Sequence, residues 1–99
     1  MNTKEIFLLT KSPHSDRTRL CFQLMEHSEN AVLYLAGGGV YILLDAASLK
    51  ALPKESILVC KEDLQARGVQ DEGRAIVPEN FYELLVEDIM LDGNRIFAF

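Results

Sequence analysis

Basic residues are in short supply. Ten Lys and Arg stand against 15 Asp and Glu, a formal net charge of −5 at pH 7. A chain that tracks phosphates needs the opposite balance, so direct contact with nucleic acid is not expected. Long apolar runs are also missing: none approaches the roughly 18 residues that a membrane span needs. No secretory leader is evident, because Met1-Asn2-Thr3-Lys4-Glu5 leads into only a short run, Ile6 to Thr10. The expectation is a cytoplasmic protein that touches no membrane. Cysteine is sparse, with two residues, Cys21 and Cys60. In a reducing compartment these are expected as thiols rather than a structural disulfide. They are not a CxxC pair, and with His14 and His27 they do not show the spacing of a zinc site. No internal repeat, low-complexity tract or linker interrupts the chain.

What is present is enough apolar material for a core: 48% of the 99 residues. That excludes disorder, and the length fits one domain, residues 1–99. A domain this small buries a modest share of its surface, so oligomerisation is an expected further source of stability.

Five short apolar runs punctuate the sequence: Ile6–Leu9, Ala31–Leu35, Ile57–Cys60, Ala75–Val77 and Arg95–Phe99. Unbroken apolar runs of this length predict strands covered on both faces. Between them lie helical patterns. Ser15 or Asp16 caps a helix with Leu20, Cys21, Leu24 and Met25 at i, i+4 spacing. Gly37-Gly38-Gly39 opens a helix over Val40–Leu49, with Val40, Leu43, Leu44 and Ala47 at helical spacing, closed before Leu52-Pro53. Lys61–Arg67 is a short helix stopped by Gly68. Pro78 starts a helix whose inner face is Phe81, Leu84, Leu85 and Asp88. The pattern predicts one small three-layer α/β domain, a five-stranded, mostly parallel sheet flanked by helices. The last strand reads as an edge strand whose direction the sequence leaves open, antiparallel being one option.

In such a sheet, sites form beyond the carboxyl ends of the strands. Three loops lie there: Lys11-Ser12-Pro13-His14, Gly37-Gly38-Gly39, and the residues after Cys60. Cys60 is the sharpest candidate. It stands where a strand meets a helix, and the free amides of a helix start stabilise a thiolate. Lys61 adds to that effect, while Glu62 and Asp63 oppose it. The bland alternative is a small core hydrophobe closing an Ile-Leu-Val strand. Cys21, in mid-helix, reads more simply as core filler and ranks second. His14 and Lys11 are candidates for assistance from the neighbouring loop, although a lone loop histidine is more often just solvated. His27, near the end of the first helix, reads as structural. The glycine run is neither a P-loop nor GxGxxG. Tight turning explains it better than an anion cradle.

Taken together, Ile6-Phe7-Leu8-Leu9-Thr10-Lys11-Ser12-Pro13, Gly39-Val40-Tyr41, Glu62-Asp63-Leu64-Gln65-Ala66-Arg67-Gly68 and the helix Phe81-Tyr82-Glu83-Leu84-Leu85 resemble the DsrH/TusB family of DsrE/DsrF/DsrH-like sulfur-relay proteins. The aromatic C-terminus resembles it too. The likeness runs in order over essentially the whole chain. It implies a DsrEFH-like fold and a carrier that passes sulfane sulfur between cysteine persulfides. The outlet is either tRNA 2-thiouridine synthesis or intracellular sulfur oxidation. No metal or organic cofactor is implied. The implied partners are sulfur-donor and sulfur-acceptor proteins and DsrE/DsrF-like or TusC/TusD-like subunits, in a homo- or hetero-oligomer. Gly38 stands where family members often have an acidic residue before Gly-Val-Tyr. In the DsrE/TusD branch the sulfur-accepting cysteine lies eight residues before an Arg-Gly glycine, and Cys60 has that spacing to Gly68. Cys21 falls near a helix-one cysteine of some DsrH-like members, one residue out of register. The resemblance therefore favours Cys60. It also leaves a second role open, a non-catalytic structural subunit with an interface at Phe97-Ala98-Phe99.

Overall fold

The computed structural model describes residues 3–45, 49 and 52–99. Four strands, β1 (Glu5–Leu9), β2 (Ala31–Leu35), β3 (Ile57–Val59) and β4 (Arg95–Ala98), form one sheet in the order β3-β2-β1-β4. Every pairing is parallel, with Phe7 opposite Leu33 and Phe97, and Tyr34 opposite Leu58. β4 is therefore at an edge as expected, and its direction, open in the sequence, is parallel. Helix α3 (Phe81–Met90) carries the chain from one end of the sheet back to the other, so the next strand restarts in the same direction.

The expected strand at Ala75–Val77 shrinks to a single parallel bridge, Ile76 with Leu58. The Ile76 N–H donates to Ile57 O at 2.8 Å, and the Val59 N–H donates to Ile76 O at 3.0 Å. Turns hem this segment in. Glu72 and Gly73 sit at positive φ just before it, and Pro78 follows at once. The sheet thus has four strands rather than five, with the α/β architecture unchanged.

Side-chain alternation divides the strands between two apolar layers. Phe7, Leu9, Leu33, Leu35, Ile57 and Val59 face one side, with Cys21 and Met25 of helix α1 (Asp16–Glu26) and Val40, Ile42 and Leu43. Ile6, Val32, Tyr34, Leu58 and Cys60 face the other, covered by Phe81 and Leu85 of α3. A ten-residue helix is marginal by itself. α3 is held by its buried face, where a Phe and a Leu contribute about 1.5–3 kcal/mol each. That face is the expected one, with Leu84 and Asp88 half-buried beside it.

α1 is capped by Ser15, whose Oγ accepts the Arg17 N–H at 3.2 Å. Of its four expected inner positions, Cys21 and Met25 are buried, whereas Leu20 and Leu24 are 43% and 38% exposed. Thr18 takes the inner place one turn earlier, its hydroxyl donating to Ser12 O at 2.5 Å. The predicted helix over Val40–Leu49 is instead a 3-10 helix over Gly37–Leu44. Three glycines at its start and β-branched Val40 and Ile42 all disfavour α-helix. The rest of that prediction, including Ala47, falls mainly outside the described residues. Helix α2 (Lys61–Arg67) ends at Gly68 in the left-handed conformation, φ 64°, as the glycine predicts.

Candidate functional site

Because all four strands run the same way, their carboxyl ends share one edge of the sheet. There the three loops meet. An ideal Cβ on Gly38 would lie 3.2 Å from Thr10 O and 3.4 Å from Ser12 N, so the second loop rests on the first. The Gly37 N–H donates to Asp63 Oδ2 at 2.7 Å, tying the second loop to α2. Asp63 also faces Arg67 at 3.6 Å. Gly39 packs so closely over β1 that a Cβ there would be 2.2 Å from Leu9 O. The glycine run is thus a close-approach device. With a carboxylate already on the Gly37 amide, it does not offer an anion cradle.

Cys60 ends β3 and is the N-terminal cap residue of α2. The two-residue alternation that turns Leu58 towards α3 turns Cys60 the same way. Its carbonyl accepts the first helical N–H, from Leu64, at 3.1 Å. The Cys60 thiol donates towards Glu62 Oε2 at 3.5 Å. The residue is only 2% exposed. Burial is the main cause that pushes its thiol pKa up. The backbone N–H of Asp63 pulls it down, as a helix start should, and the carboxylates of Glu62 and Asp63 push it up again. Lys61 gives no help, since its ammonium turns to Glu79 Oε1 at 2.7 Å. The resting thiol is therefore protonated and sheltered, not primed.

Tyr82, missed in the sequence reading, interacts with Cys60 from the first turn of α3. Its phenol pKa is raised by burial first and then by Cys60, Asp63 and Glu62. Yet Tyr82 is 57% exposed. A side chain that itself faces water thus interacts with the buried thiol. Only its place next to Phe81, at the start of an apolar-faced helix, could have hinted at this. Replacing Glu62 by Gln removes one acceptor that holds the thiol proton. We expect Cys60 to alkylate several-fold faster at fixed pH in Glu62→Gln than in the parent, both carrying Cys21→Ser. An unchanged rate would show that Glu62 does not restrain the thiol.

Cys21 lies on the opposite face of the sheet, fully buried, its Sγ 3.9 Å from Met25 Sδ. Burial pushes its pKa up to about 12. Both cysteines are free. The sheet separates them, so they do not work as a pair. The side chains of Lys11 and His14 are exposed, and neither has a hydrogen bond or ion pair to Cys60. His27 ends α1, its N–H donating to Leu24 O at 3.2 Å. Among the described residues no group of His, Cys, Asp and Glu could hold a metal ion, and no helix is long and apolar enough to cross a membrane.

A cavity of about 810 Å³ lies along α1 beside Phe22, Met25, Ala31, Leu52 and Pro53. Cys60 does not line it, and no thiol opens into it. Chemistry, not size, therefore places the candidate site at Cys60. The terminal aromatics are not an exposed patch either. Phe97 and Phe99 are half-buried, their ring centroids 5.0 and 6.5 Å from that of Phe7. A second feature missed from the sequence is polar. The Tyr34 hydroxyl donates to Asp88, which also faces Lys4 at 3.6 Å. An acid on the inner face of a helix needs such partners, and Asp88 on the Phe81 face was that signal.

Neither the search of curated proteins nor that of solved structures returned a match. A family model described as DsrH like protein matches residues 11–91, most of the chain, including all three loops and the whole of α2 and α3. The chain belongs to the DsrH-like family.

Proposed function

We propose that this chain carries sulfane sulfur as a persulfide on Cys60 within a larger sulfur-relay complex. Membership of the DsrH family supports a sulfur-relay role in general. The observation that carries the assignment to Cys60 is its place at the end of β3 as the N-terminal cap residue of α2, at the carboxyl edge of the sheet. Cys21, in the middle of α1, has no such position and remains the second candidate. In the first step the Cys60 thiolate attacks the outer sulfur of a donor persulfide, R–S–SH. The new bond joins the Cys60 sulfur to that outer sulfur, and the donor's S–S bond breaks. The donor leaves as R–S⁻, and Cys60–S–SH remains. The proton lost by Cys60 is matched by the one that R–S⁻ takes up. An acceptor thiolate then repeats the exchange on the Cys60 persulfide, so no external oxidant or reductant is consumed.

Donor and acceptor are proteins in this reading, and DsrE/DsrF-like or TusC/TusD-like chains are the companion subunits. The acidic surface favours a link to tRNA, where that is the outlet, through later proteins. Lys11 and His14 find no support in the geometry as assistants. A second reading, a non-catalytic subunit of the same complex, is favoured by the burial and raised pKa of both thiols.

Intact-mass measurement after incubation with a small persulfide donor separates the two, with the chain alone and co-expressed with DsrE- and DsrF-like subunits. Wild type and Cys21→Ser are expected to gain one sulfur atom, and Cys60→Ser none. Equal gain by Cys60→Ser would move the carrier role to Cys21. No gain by any form would leave the subunit reading.

A further inference from the structure

Helix α3 has two apolar faces, and the sheet covers only one. Phe81 and Leu85 are buried against β1 and β2. Tyr82, Val86, Ile89 and Met90 recur at i, i+4, i+7 and i+8, and Leu91 follows. These five side chains are between 42% and 76% exposed. Exposed leucines on α1 are different, because Leu20 and Leu24 stand among Arg17, Arg19 and Gln23. On α3 the apolar residues form one stripe along the whole helix, the kind of patch that marks an interaction surface.

The charges beside the stripe define what fits it. At 100° per residue, Glu83 and Glu87 lie along the edge next to Met90. α3 has no Lys, Arg or His. A second copy of the chain is a poor occupant. Antiparallel pairing about a two-fold axis sets equal edges against each other, so glutamates would meet glutamates. Parallel pairing sets that edge against one with no cation. In either case like charges, or unpaired ones, border the contact.

We infer that the Tyr82–Met90 stripe docks a different protein, through an apolar helix edged with lysine or arginine. The stripe starts at Tyr82, next to Phe81, which packs in the same apolar cluster as Cys60. The docked partner therefore sits at the end of α3 that lies nearest the thiol. For the identity of the cargo this inference rests on the relay reading. Docking itself does not, and it is measured with no sulfur compound present.

The probe is a synthetic amphipathic helix with a leucine stripe flanked by lysines, and a second peptide with glutamates in place of the lysines. Fluorescence anisotropy with the full chain is expected to show the lysine form binding about tenfold or more tightly than the glutamate form, a difference of about 1.4 kcal/mol. Added salt should narrow the gap. Val86→Glu/Met90→Glu should abolish binding, and Glu83→Lys/Glu87→Lys should reverse the preference. All four substitutions are at exposed positions, and circular dichroism checks that each variant is folded. Absence of binding by either peptide, or equal binding by both, overturns the inference. So does a wild-type dimer in sedimentation that Val86→Glu/Met90→Glu dissolves, since the occupant would then be a second copy. A chain that gains no sulfur yet binds the lysine peptide retains this inference and loses the carrier reading. The reverse result does the opposite.

Discussion

Gly39→Ala is expected to cost at least about 3 kcal/mol of stability, a large part of the 5–15 kcal/mol available to a small domain. The added methyl would stand 2.2 Å from Leu9 O and 2.9 Å from Leu9 C. Those atoms belong to β1, in the centre of the sheet, and Leu9 O already accepts the Ala36 N–H at 3.1 Å. The carbonyl cannot swing away without breaking that bond, and it cannot retreat without pushing β1 into the packed layer of Phe7 and Leu35. Relief therefore requires the loop carrying Gly37 to lift, which pulls its amide from Asp63. Gly68→Ala is the control. It meets nothing within 4 Å but holds φ at +64°, so its cost is that of a left-handed alanine, about 1–2 kcal/mol. Urea unfolding of both variants tests the difference. Equal losses would show that close approach at Gly39 does not matter.

The same glycine shows what a sequence can and cannot reveal. The run Gly37-Gly38-Gly39 marks a tight exit from a strand, and the structure has one. Which glycine is indispensable depends on where β1 lies beneath it, a tertiary fact. The four strands were legible because both faces of the sheet are covered, which turns each into an unbroken apolar run. Ala75–Val77 had the same composition but too little length between its turns to pair beyond one residue. The direction of β4 was not legible, since side-chain order looks the same for either direction. The helix preceding it decides that. Leu20 and Leu24 looked as inward as Cys21 and Met25 because spacing gives a helix face but not how wide an arc its neighbours cover.

At the candidate site, the strand-to-helix junction at Cys60 was legible and its net electrostatics were not, because they depend on side-chain placement. Strand alternation and the Arg67-Gly68 stop placed Cys60 at a helix start. The amide of Asp63 behaves as expected. The larger influence is burial under α3, a helix that begins 21 residues later, and local reading has no access to it. Lys61, the cation next to Cys60 in the chain, is drawn off by Glu79. In the proposed relay, a thiol sheltered in this way would react only once its surroundings open, so docking rather than a permanently low pKa would control it.

Cys21 should make the protein fail in alkali, and the effect is large. Its pKa rises from the ordinary 9.0 to about 12 in the folded chain because the thiolate cannot be solvated among Met25, Leu33 and their neighbours. When the chain unfolds, the thiol returns to its ordinary value. Between pH 9 and about 12 the folded state thus holds a proton that the unfolded state has lost. Unfolding free energy must then fall as pH rises, by about 1.4 kcal/mol per pH unit and about 4 kcal/mol in all. Below pH 9 both states are protonated, and the contribution is flat. Tyr34, raised by burial and by Asp88, and Cys60 add slopes of the same sign. Comparison with Cys21→Ala isolates the Cys21 share. At pH 7 that variant should be less stable by about 1 kcal/mol, for the sulfur's lost packing. Its decline above pH 9 should be shallower, so the two stability curves cross near about pH 10 and the alanine variant is the more stable beyond it. Chemical unfolding at stepped pH in the presence of reductant gives both curves. Parallel curves with no crossing would mean that the Cys21 thiol reaches solvent before the chain unfolds, and the layer between α1 and the sheet would then be looser than its packing indicates.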